Sequence, residues 1–338
     1  MSDRSYGVGV IGPGVIWDRG HWPAIQQLDS LTVEAVYDID DERKREVATE
    51  TDATPVEDAE TIFDDEAVDI VAILTPPFAR LEYVEAATAA GKHLMLEKPL
   101  ARTLEDALAI HDAITDSGVE CFVPFARTSS ALMTDAIDIV ESGLLGEPQV
   151  FSHSSLSTPY SWVPLDHWMH RMEQSGGPIF DYSIHFIDFA RACMKTEAES
   201  VSYAGRQTTG RVDSDDHATL SIFYEDGSLG EFTKSWAYPP GVDRWKQGTE
   251  VICEDGVVVL GDELTVHTPA GTWQFEATDD ERGGRVRTYR NLLAGIEEGE
   301  PLAADETDGL RAIEILDAAL ISRERGERVD VDLHRTDT

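Results

Sequence analysis

About the first 120 residues alternate short apolar runs with stretches of helical periodicity, and this alternation restricts the possible folds more than any other feature. The runs have the length and composition of buried strands, and they are Tyr6–Ile11, Thr32–Tyr37, Val68–Leu74, His93–Leu96 and Glu120–Val123. Between them, Trp22, Ile25 and Leu28 recur at helical spacing, and Tyr83–Ala90 and Leu104–Ile114 have helical patterns. Such β-α-β alternation predicts a parallel, doubly wound sheet.

Turn-forming triplets divide much of the second half into paired β-rich runs. They are Glu225-Asp226-Gly227, Glu254-Asp255-Gly256 and Pro269-Ala270-Gly271. Each triplet separates two runs in the manner of a hairpin turn. Ala218–Trp236 and Thr249–Phe275 are therefore predicted to form an antiparallel meander. Helices are predicted to begin near Ile179, Arg285 and Asp305.

The change of pattern predicts two domains. A chain of 338 residues exceeds the roughly 100–200 residues of one typical domain. We place an α/β domain at residues 1–124 and an α+β domain, with an open and mainly antiparallel sheet, at residues 125–338.

The chain is strongly acidic, with 65 Asp and Glu against 27 Lys and Arg, a formal net charge of −38. Phosphates would be repelled, so nucleic acids and anionic membranes are not expected partners. The acidic residues are dispersed rather than gathered in a tail, and only six lysines occur. A dispersed acidic, lysine-poor surface suits a protein that works in molar salt, where charges are screened. An extreme halophile is the predicted source, and an acidic mesophilic enzyme is the alternative.

Three widely spaced cysteines, Cys121, Cys193 and Cys253, form no zinc or redox pattern. Reduced thiols in the cytoplasm are the simplest interpretation. No secretory signal is recognised at the start of the chain, and no uncharged apolar stretch approaches the ~20 residues that span a bilayer. No metal site is predicted.

A glycine-rich turn follows the first strand. The literal pattern GxGxxG spans Gly7 to Gly12 but falls mostly inside that strand, so we reject it as a phosphate loop. Gly12-Pro13-Gly14 instead follows the strand and opens the helix, where N–H groups can face a pyrophosphate. Pro13 lacks an N–H, which leaves Gly14, Val15 and Ile16 as expected donors. Trp17 stands where a third glycine would permit close packing, so the first helix is expected to be displaced or to begin differently.

Asp38 ends the second strand, where an acidic residue would accept hydrogen bonds from the adenosine ribose. A carboxylate there repels a 2′-phosphate, so NAD is favoured over NADP. The alternative is that Asp38 only caps a loop in an aspartate-rich run. Together, the glycine turn and Asp38 predict a Rossmann dinucleotide-binding domain.

Two further motifs carry candidate catalytic groups. Glu97-Lys98-Pro99 follows a buried strand, at the sheet edge where ligands bind in such folds, although a plain salt bridge from Lys98 to Glu97 is the alternative. Gly176-Gly177-Pro178 precedes a helix on which Asp181, His185 and Asp188 share a stripe about 60° wide. The rest of that helix is apolar, so the stripe must face partners or a site. A buried Asp–His pair without chemistry is the alternative.

These motifs resemble those of the glucose-fructose oxidoreductase, inositol dehydrogenase and rhizopine-catabolism (Gfo/Idh/MocA) oxidoreductases. The resemblance runs nearly end to end and includes Gly12-Pro13-Gly14, Thr75-Pro76-Pro77, Gly91-Lys92-His93 to Pro99, Gly143-Leu144-Leu145-Gly146, and Gly176-Gly177 to His185. It implies catalytic roles for Lys98, Asp181 and His185. It also implies cofactor contacts from Thr75, Pro76, Glu97 and Lys98, and an often cis Lys98–Pro99 bond.

The sequence departs from that family at four places. Pro77 and Arg80 replace the asparagine and histidine of Thr-Pro-Asn-x-x-His, Ala126 replaces an asparagine before Arg127, and Ser183 replaces a glycine. These changes leave the implied chemistry intact but affect the contacts expected on the nicotinamide side and the substrate preference that the resemblance would imply.

The resemblance implies an NAD(P)-dependent dehydrogenase or reductase of a sugar, polyol or sugar derivative, with hydride passing between the substrate and the nicotinamide. His185 suits the role of base, Asp181 can orient it, and Lys98 can stabilise charge on the reacting oxygen or itself be the base. Candidate substrate contacts are Arg127, Tyr160, Trp168 and Arg171, with Trp162, His167, His170 and His153 also open.

Two other functions stay open on the same fold: an NAD-assisted glycoside hydrolase and a non-catalytic nucleotide-binding regulator. The open face of the meander, with Trp236 and Tyr238 as candidates, predicts a homodimer or homotetramer.

Overall fold

The computed structural model describes residues 4–159, 163–239, 241–242, 244–276 and 283–334. Its contacts divide the chain into two units, residues 1–129 with 279–310, and residues 130–278 with 311–338. The first unit therefore takes in a helix near residue 285, which the predicted boundary at residue 124 assigns to the second domain. No helix among the described residues is both long and apolar enough to cross a membrane.

The first unit contains a six-stranded parallel sheet in the order β3-β2-β1-β4-β5-β6. Its strands are β1 Tyr6–Ile11, β2 Leu31–Tyr37, β3 Thr54–Pro55, β4 Ile70–Ile73, β5 His93–Leu96 and β6 Cys121–Phe122. Every residue of β1 and β4 is buried, as expected for central strands covered on both faces. The strand order reverses between β1 and β4, which creates a crevice beyond their carboxyl ends. The predicted Rossmann domain is confirmed.

Short helices connect and cover these strands. They are α1 Trp22–Ile25, α2 Asp41–Thr51, α3 Glu60–Asp64, α4 Leu81–Ala89, α5 Leu104–Ser117, α6 Ala126–Ser129 and α10 Gly283–Glu298. A π-helical turn at Trp17–His21 precedes α1, and a 3₁₀ turn at Pro77–Ala79 precedes α4. Helix α10 packs on α6 and α1, because close contact with Ser129 is possible only for a glycine at 284.

The second unit contains a nine-stranded sheet in the order β14-β13-β12-β11-β7-β10-β9-β8-β15. The strands are β7 Pro148–Leu156, β8 Ala198–Arg206, β9 His217–Tyr224, β10 Leu229–Ser235, β11 Lys246–Cys253, β12 Val257–Leu260, β13 Leu264–Thr268, β14 Gly271–Phe275 and β15 Val329–Asp330. The three predicted hairpin turns join β9 to β10, β11 to β12 and β13 to β14. The mainly antiparallel sheet is confirmed.

The predicted continuous meander is wrong in one respect. Strand β7 lies between the two groups of hairpins, parallel to β10 and antiparallel to β11. The hairpin triplets report only neighbours in sequence, so they could not place β7, which comes from a distant part of the chain.

Two helices pack on this sheet, α7 Ala131–Glu141 on β12 and α9 Ile184–Met194 on β7. Helices α8 Met172–Ser175 and α11 Glu306–Arg325 complete the described set. Helix α9 packs on β7, where Phe151, His153 and Ser155 are buried while the residues between them are less so. This alternation gives the sheet one covered and one open face.

Candidate functional site

The turn after β1 is tight and leaves open space at its second glycine. Gly12 has φ +72°, and a Cβ atom there would lie 2.7 Å from Thr75 Cγ2 at the end of β4. A Cβ atom on Gly14 would meet no protein atom within 4 Å. The Gly14 N–H donates to the carbonyl oxygen of Gly12 at 2.8 Å. Gly14 therefore contributes open space rather than a phosphate donor, which leaves Val15 and Ile16, in the first helical turn, as the expected donors.

The helix that follows begins irregularly, as Trp17 led us to expect. Trp17 is fully buried and stacks on Trp22, with ring centroids 5.8 Å apart. The π-helical turn from Trp17 to His21 accommodates this large side chain. Such turns are rare and occur frequently at functional sites.

Asp38 lies just beyond β2, at the same sheet edge as the glycine turn. Its Oδ1 atom accepts the N–H of Asp40 at 2.8 Å, so it does stabilise the local loop. The N-cap of α2, however, is Asp40, which accepts the N–H groups of Glu42 and Arg43. Burial of the half-exposed Asp38 carboxyl raises its pKa. A ribose-binding role for Asp38 stays a prediction.

The segment after β5 is held by several hydrogen bonds and an ion pair. The Lys98–Pro99 peptide bond is cis, as expected. Glu97 is buried, and its Oε2 atom accepts the N–H of Lys98 at 3.1 Å. Its Oε1 atom lies 2.6 Å from Arg285 Nη1 and 3.0 Å from His21 Nε2. Glu97 therefore pairs with Arg285, and the Lys98 side chain is half-buried beside this pair.

Arg80 connects two of the predicted cofactor-contacting turns. It is buried, and its Nε and Nη2 atoms donate to the carbonyl oxygen of Thr75 at 2.9 and 2.7 Å. Its Nη1 atom donates to the carbonyl oxygens of Glu97 and Pro99. Sequence reasoning noted Arg80 only as a departure from the family and missed this role.

In the second unit, Asp181 and His185 do not lie on one continuous α-helix. A π-helical turn spans Ile179–Ser183, and α9 begins at Ile184. Asp181 is buried, His185 is half-exposed and Asp188 is fully buried. The stripe predicted at 100° per residue is therefore interrupted between Asp181 and His185, and Asp188 is enclosed by the core. Lys98 belongs to the first unit.

Lys234 on β10 is a charged residue near Asp181 that sequence reasoning missed. It is 1% exposed, donates to Ser155 Oγ at 2.8 Å, and lies 3.8 Å from the centre of the Tyr182 ring. Burial lowers its pKa to about 7, opposed by the charge of Asp181. The available signal was its position among the inward-facing residues of β10, where a lysine is unexpected.

His153 lies beside this cluster, beneath the start of α9. Its ring stacks on Phe186 at 3.5 Å, and Nδ1 lies 2.8 Å from Thr249 Oγ1. Burial and the charge of Lys234 lower its pKa to about 3. His153 is therefore a neutral residue of the covered sheet face.

The predicted substrate contacts have different surroundings. Arg127 is tied to the first unit, because its guanidinium contacts Asp308 and the carbonyl oxygen of Ala303, which favours a structural role. Trp168 begins a 3₁₀ turn. Burial lowers the pKa of the neighbouring His167, opposed by the charges of Asp166 and Asp181. Arg171 is exposed and donates to the carbonyl oxygen of Asp166 at 3.1 Å. Tyr160 and Trp162 lie outside the described residues.

Comparison with known proteins extends over most of the chain. Residues 6–125 match a family model described as an oxidoreductase family with an NAD-binding Rossmann fold. Residues 133–259 match the GFO/IDH/MocA C-terminal domain.

Two relatives cover most of the chain at low identity. Myo-inositol 2-dehydrogenase of Thermotoga maritima is 26% identical over 96% of this chain and 98% of its own length. Scyllo-inositol 2-dehydrogenase (NAD(+)) of Bacillus subtilis is 26% identical over 83% of each chain. A levoglucosan dehydrogenase solved with NADH and L-sorbose has the same fold, with a TM-score of 0.87, 23% identity, and coverage of 97% of this chain and 99% of that one.

Proposed function

We propose, from the premise that this chain belongs to the GFO/IDH/MocA oxidoreductase family, that it is an NAD-dependent dehydrogenase of a sugar or cyclic polyol. The observation that carries the proposal is the clustering of chemistry at one edge of the parallel sheet. The glycine turn after β1, Asp38 after β2, Thr75 after β4 and Lys98 after β5 all follow the carboxyl ends of neighbouring strands.

The residues at this edge fit a dinucleotide. Gly12 provides the sharp turn, and the open space at Gly14 allows a pyrophosphate to approach the backbone. The first-turn N–H groups of Val15 and Ile16 would hold its charge. Asp38 would bind the adenosine ribose and disfavour the extra phosphate of NADP. Thr75, Pro76 and Lys98 would lie toward the nicotinamide, whereas both oxygens of the Glu97 carboxylate contact protein groups.

Oxidation of a secondary alcohol requires removal of the hydroxyl proton as hydride leaves the carbon. The bound nicotinamide supplies the hydride acceptor. His185, half-exposed at the start of α9, or Lys98 would take the proton, and Asp181 would orient His185. Whichever of the two is not the base would donate a hydrogen bond to the reacting oxygen and stabilise its negative charge.

The substrate class follows from the relatives and from the polar surroundings of Asp181. Both inositol dehydrogenases act on cyclic polyols, which present several hydroxyls on an apolar ring. In the segment that precedes the Gly176-Gly177 turn, Trp168 is half-buried and Arg171 is exposed. An aromatic face and a hydrogen-bond donor would recognise such a ring.

We also propose self-association through the open face of the second sheet. Val150 pairs with Leu229 on one side and with Ile252 on the other, and Ile252 pairs with Val257, giving an apolar row across four strands. All four side chains are partly exposed. Trp236, an earlier candidate for this surface, is fully buried. A homodimer or homotetramer, working in the cytoplasm, is the proposed form.

The test is NADH absorbance in ~2 M salt, where charges are strongly screened. NAD and NADP are offered in parallel with pentoses, hexoses, inositols and sugar acids. Reduction of NAD by one sugar or polyol class supports the proposal and identifies the substrate. Binding of NADH without turnover of any compound, in either direction, would favour a non-catalytic binder. Release of free sugar from a glycoside without net NADH would identify an NAD-assisted hydrolase.

A further inference from the structure

Glu97 is a buried carboxylate, and both of its oxygens contact groups of the first unit. Burial alone would raise its pKa, but Arg285 and His21 outweigh burial and hold the pKa well below its ordinary value. The carboxylate is thus ionised, accepts the N–H of Lys98, and lies within hydrogen-bonding distance of Arg285 Nη1 and His21 Nε2. Because Glu97 accepts a hydrogen bond from the Lys98 N–H, it anchors the backbone of the proposed catalytic lysine.

His21 acts in this network as a neutral ring. Burial and the charge of Arg285 lower its pKa to about 4. Nδ1 lies 2.8 Å from Tyr289 Oη, and Nε2 lies 3.0 Å from both Glu97 Oε1 and Arg285 Nη1. Burial raises the pKa of Tyr289, so its hydroxyl keeps its proton. In either tautomer of a neutral imidazole one ring nitrogen donates and the other accepts, so Tyr289, His21, Glu97 and Arg285 form one connected network.

Arg80 holds the same segment from its main-chain side. Its guanidinium contacts the carbonyl oxygens of Glu97 and Pro99, the residues on either side of Lys98, and that of Thr75. Burial lowers its pKa to about 10, so the side chain stays cationic near neutrality. A planar guanidinium can donate to several carbonyls in fixed directions, which an ammonium cannot do as well.

We propose that Arg80 and Arg285 are positioning residues for Lys98. One guanidinium fixes the backbone on both sides of Lys98, and the other fixes the Glu97 carboxylate that binds the Lys98 N–H. Lys98 carries a long flexible side chain, so the location of its ammonium depends on how rigidly its backbone is held. The inference rests on the proposed function, in which Lys98 acts on the reacting hydroxyl.

The network also joins three distant parts of the chain at this point. His21 lies in the π-helical turn after the glycine loop, Glu97 follows β5, and Arg285 and Tyr289 lie on α10. A Cβ atom on Gly20 would come within 2.5 Å of Arg285 Nε, so Arg285 also packs closely on that turn. Arg285 thus holds the cofactor-loop helix and the Lys98 segment in a fixed relation.

The test compares Arg80→Lys and Arg285→Lys with Arg45→Lys, an exposed arginine on α2. The rate constant for hydride transfer is measured in a single turnover, with NAD and the panel compound that the wild-type enzyme oxidises, myo-inositol first. This rate constant does not depend on the fraction of folded enzyme. A misplacement of about 1 Å costs about 10²-fold in rate. We expect losses of 10- to 100-fold at positions 80 and 285, none at 45, and a Kd for NADH within about threefold of wild type.

Each outcome bears on the inference. A reduced amplitude with an unchanged rate constant would mean that the two arginines only stabilise the fold, and would overturn it. Wild-type rate constants in both variants would overturn it while leaving the proposed function intact. An inactive wild-type enzyme would remove both claims, because there would be no catalytic lysine to position.

Removing one member of a buried ion pair can unfold a protein, so a charge-neutral variant is included. Glu97→Gln with Arg285→Met removes both charges together, which is tolerated far better than removal of one. We expect this double variant to unfold cooperatively and to bind NADH, yet to transfer hydride at least 10-fold more slowly. A wild-type rate constant in the folded double variant would contradict the inference.

Discussion

Charged side chains in protein interiors give the clearest guide to the chemistry of this chain. Interiors rarely accept them without partners or a task. Glu97, Arg80 and Lys234 are each nearly inaccessible, and each contacts or neighbours a predicted catalytic residue. The motifs Glu-Lys-Pro and Asp-x-x-x-His were visible in the sequence. The partners of Glu97 were not, because His21 and Arg285 are separated from it by 76 and 188 positions.

The proposed catalytic residues make a direct prediction. Lys98→Ala and His185→Ala should each lower kcat by at least ~10²-fold, the lower range for general acid–base catalysis. Lys246→Ala and His217→Ala, which remove exposed residues of the same types, should retain wild-type turnover. Steady-state NADH production measures all four. Near-normal kcat in either of the first two variants would remove that residue from the mechanism.

Lys234 predicts a characteristic pH dependence of stability. Its folded pKa of about 7 lies below the ~10.4 of an unfolded lysine. Between these values the unfolded chain binds more protons, so stability gains up to about 1.4 kcal/mol per pH unit as the pH rises. Below about pH 7 Lys234 is protonated in both the folded and the unfolded state, so the folded protein bears the full free-energy cost of burying the ammonium.

The corresponding variant is Lys234→Met, which cannot titrate. The unfolding free energy of this variant minus that of wild type should be largest at pH 6 and should decrease steadily toward pH 9. Chemical denaturation at several pH values gives this difference, with Lys246→Met as the exposed control. A difference that does not change with pH would contradict a buried, perturbed lysine.

At the scale of elements, the sequence predicts regular segments better than their irregular joints. Strands β1 and β5 have the predicted bounds, and the three predicted hairpins occur. The two π-helical turns, at Trp17–His21 and Ile179–Ser183, were not predictable in detail. Their buried residues, such as Trp17, pack against tertiary neighbours, and local periodicity does not encode such contacts. For the same reason, a regular helix of 3.6 residues per turn does not describe the angle between the Asp181 and His185 side chains.

The glycine turn after β1 offers a test that separates cofactor binding from folding. Gly14→Ala adds a methyl group to open space, so the unfolding free energy should stay within about 0.5 kcal/mol of wild type. If a pyrophosphate occupies that space, Kd for NADH should rise at least 10-fold, or about 1.4 kcal/mol. Fluorescence titration measures Kd. Gly261→Ala, also in open space, is the control. Unchanged NADH affinity in Gly14→Ala would place the cofactor elsewhere.

For the whole molecule, the net charge of −38 is the dominant physical property. At 0.1 M salt the Debye length is about 10 Å, and at 1 M it is about 3 Å, so repulsion among dispersed carboxylates weakens greatly in concentrated salt. We therefore expect the thermal unfolding midpoint to be higher in 2 M KCl than in 0.1 M KCl, by circular dichroism. Equal midpoints and equal activity in dilute buffer would argue against adaptation to molar salt.

Direct hydride transfer between NAD and a polyol can be followed by transfer of deuterium from substrate to cofactor. The enzyme is incubated in ~2 M salt, a strongly screened regime, with NAD and a polyol that carries deuterium on its oxidisable carbons, myo-inositol first and then the other panel compounds. Mass spectrometry and NMR then locate the label. We expect one deuterium at C4 of the nicotinamide for each alcohol oxidised. NADH that forms without label, or a cofactor that stays oxidised with every compound, would contradict direct hydride transfer between NAD and a sugar or polyol.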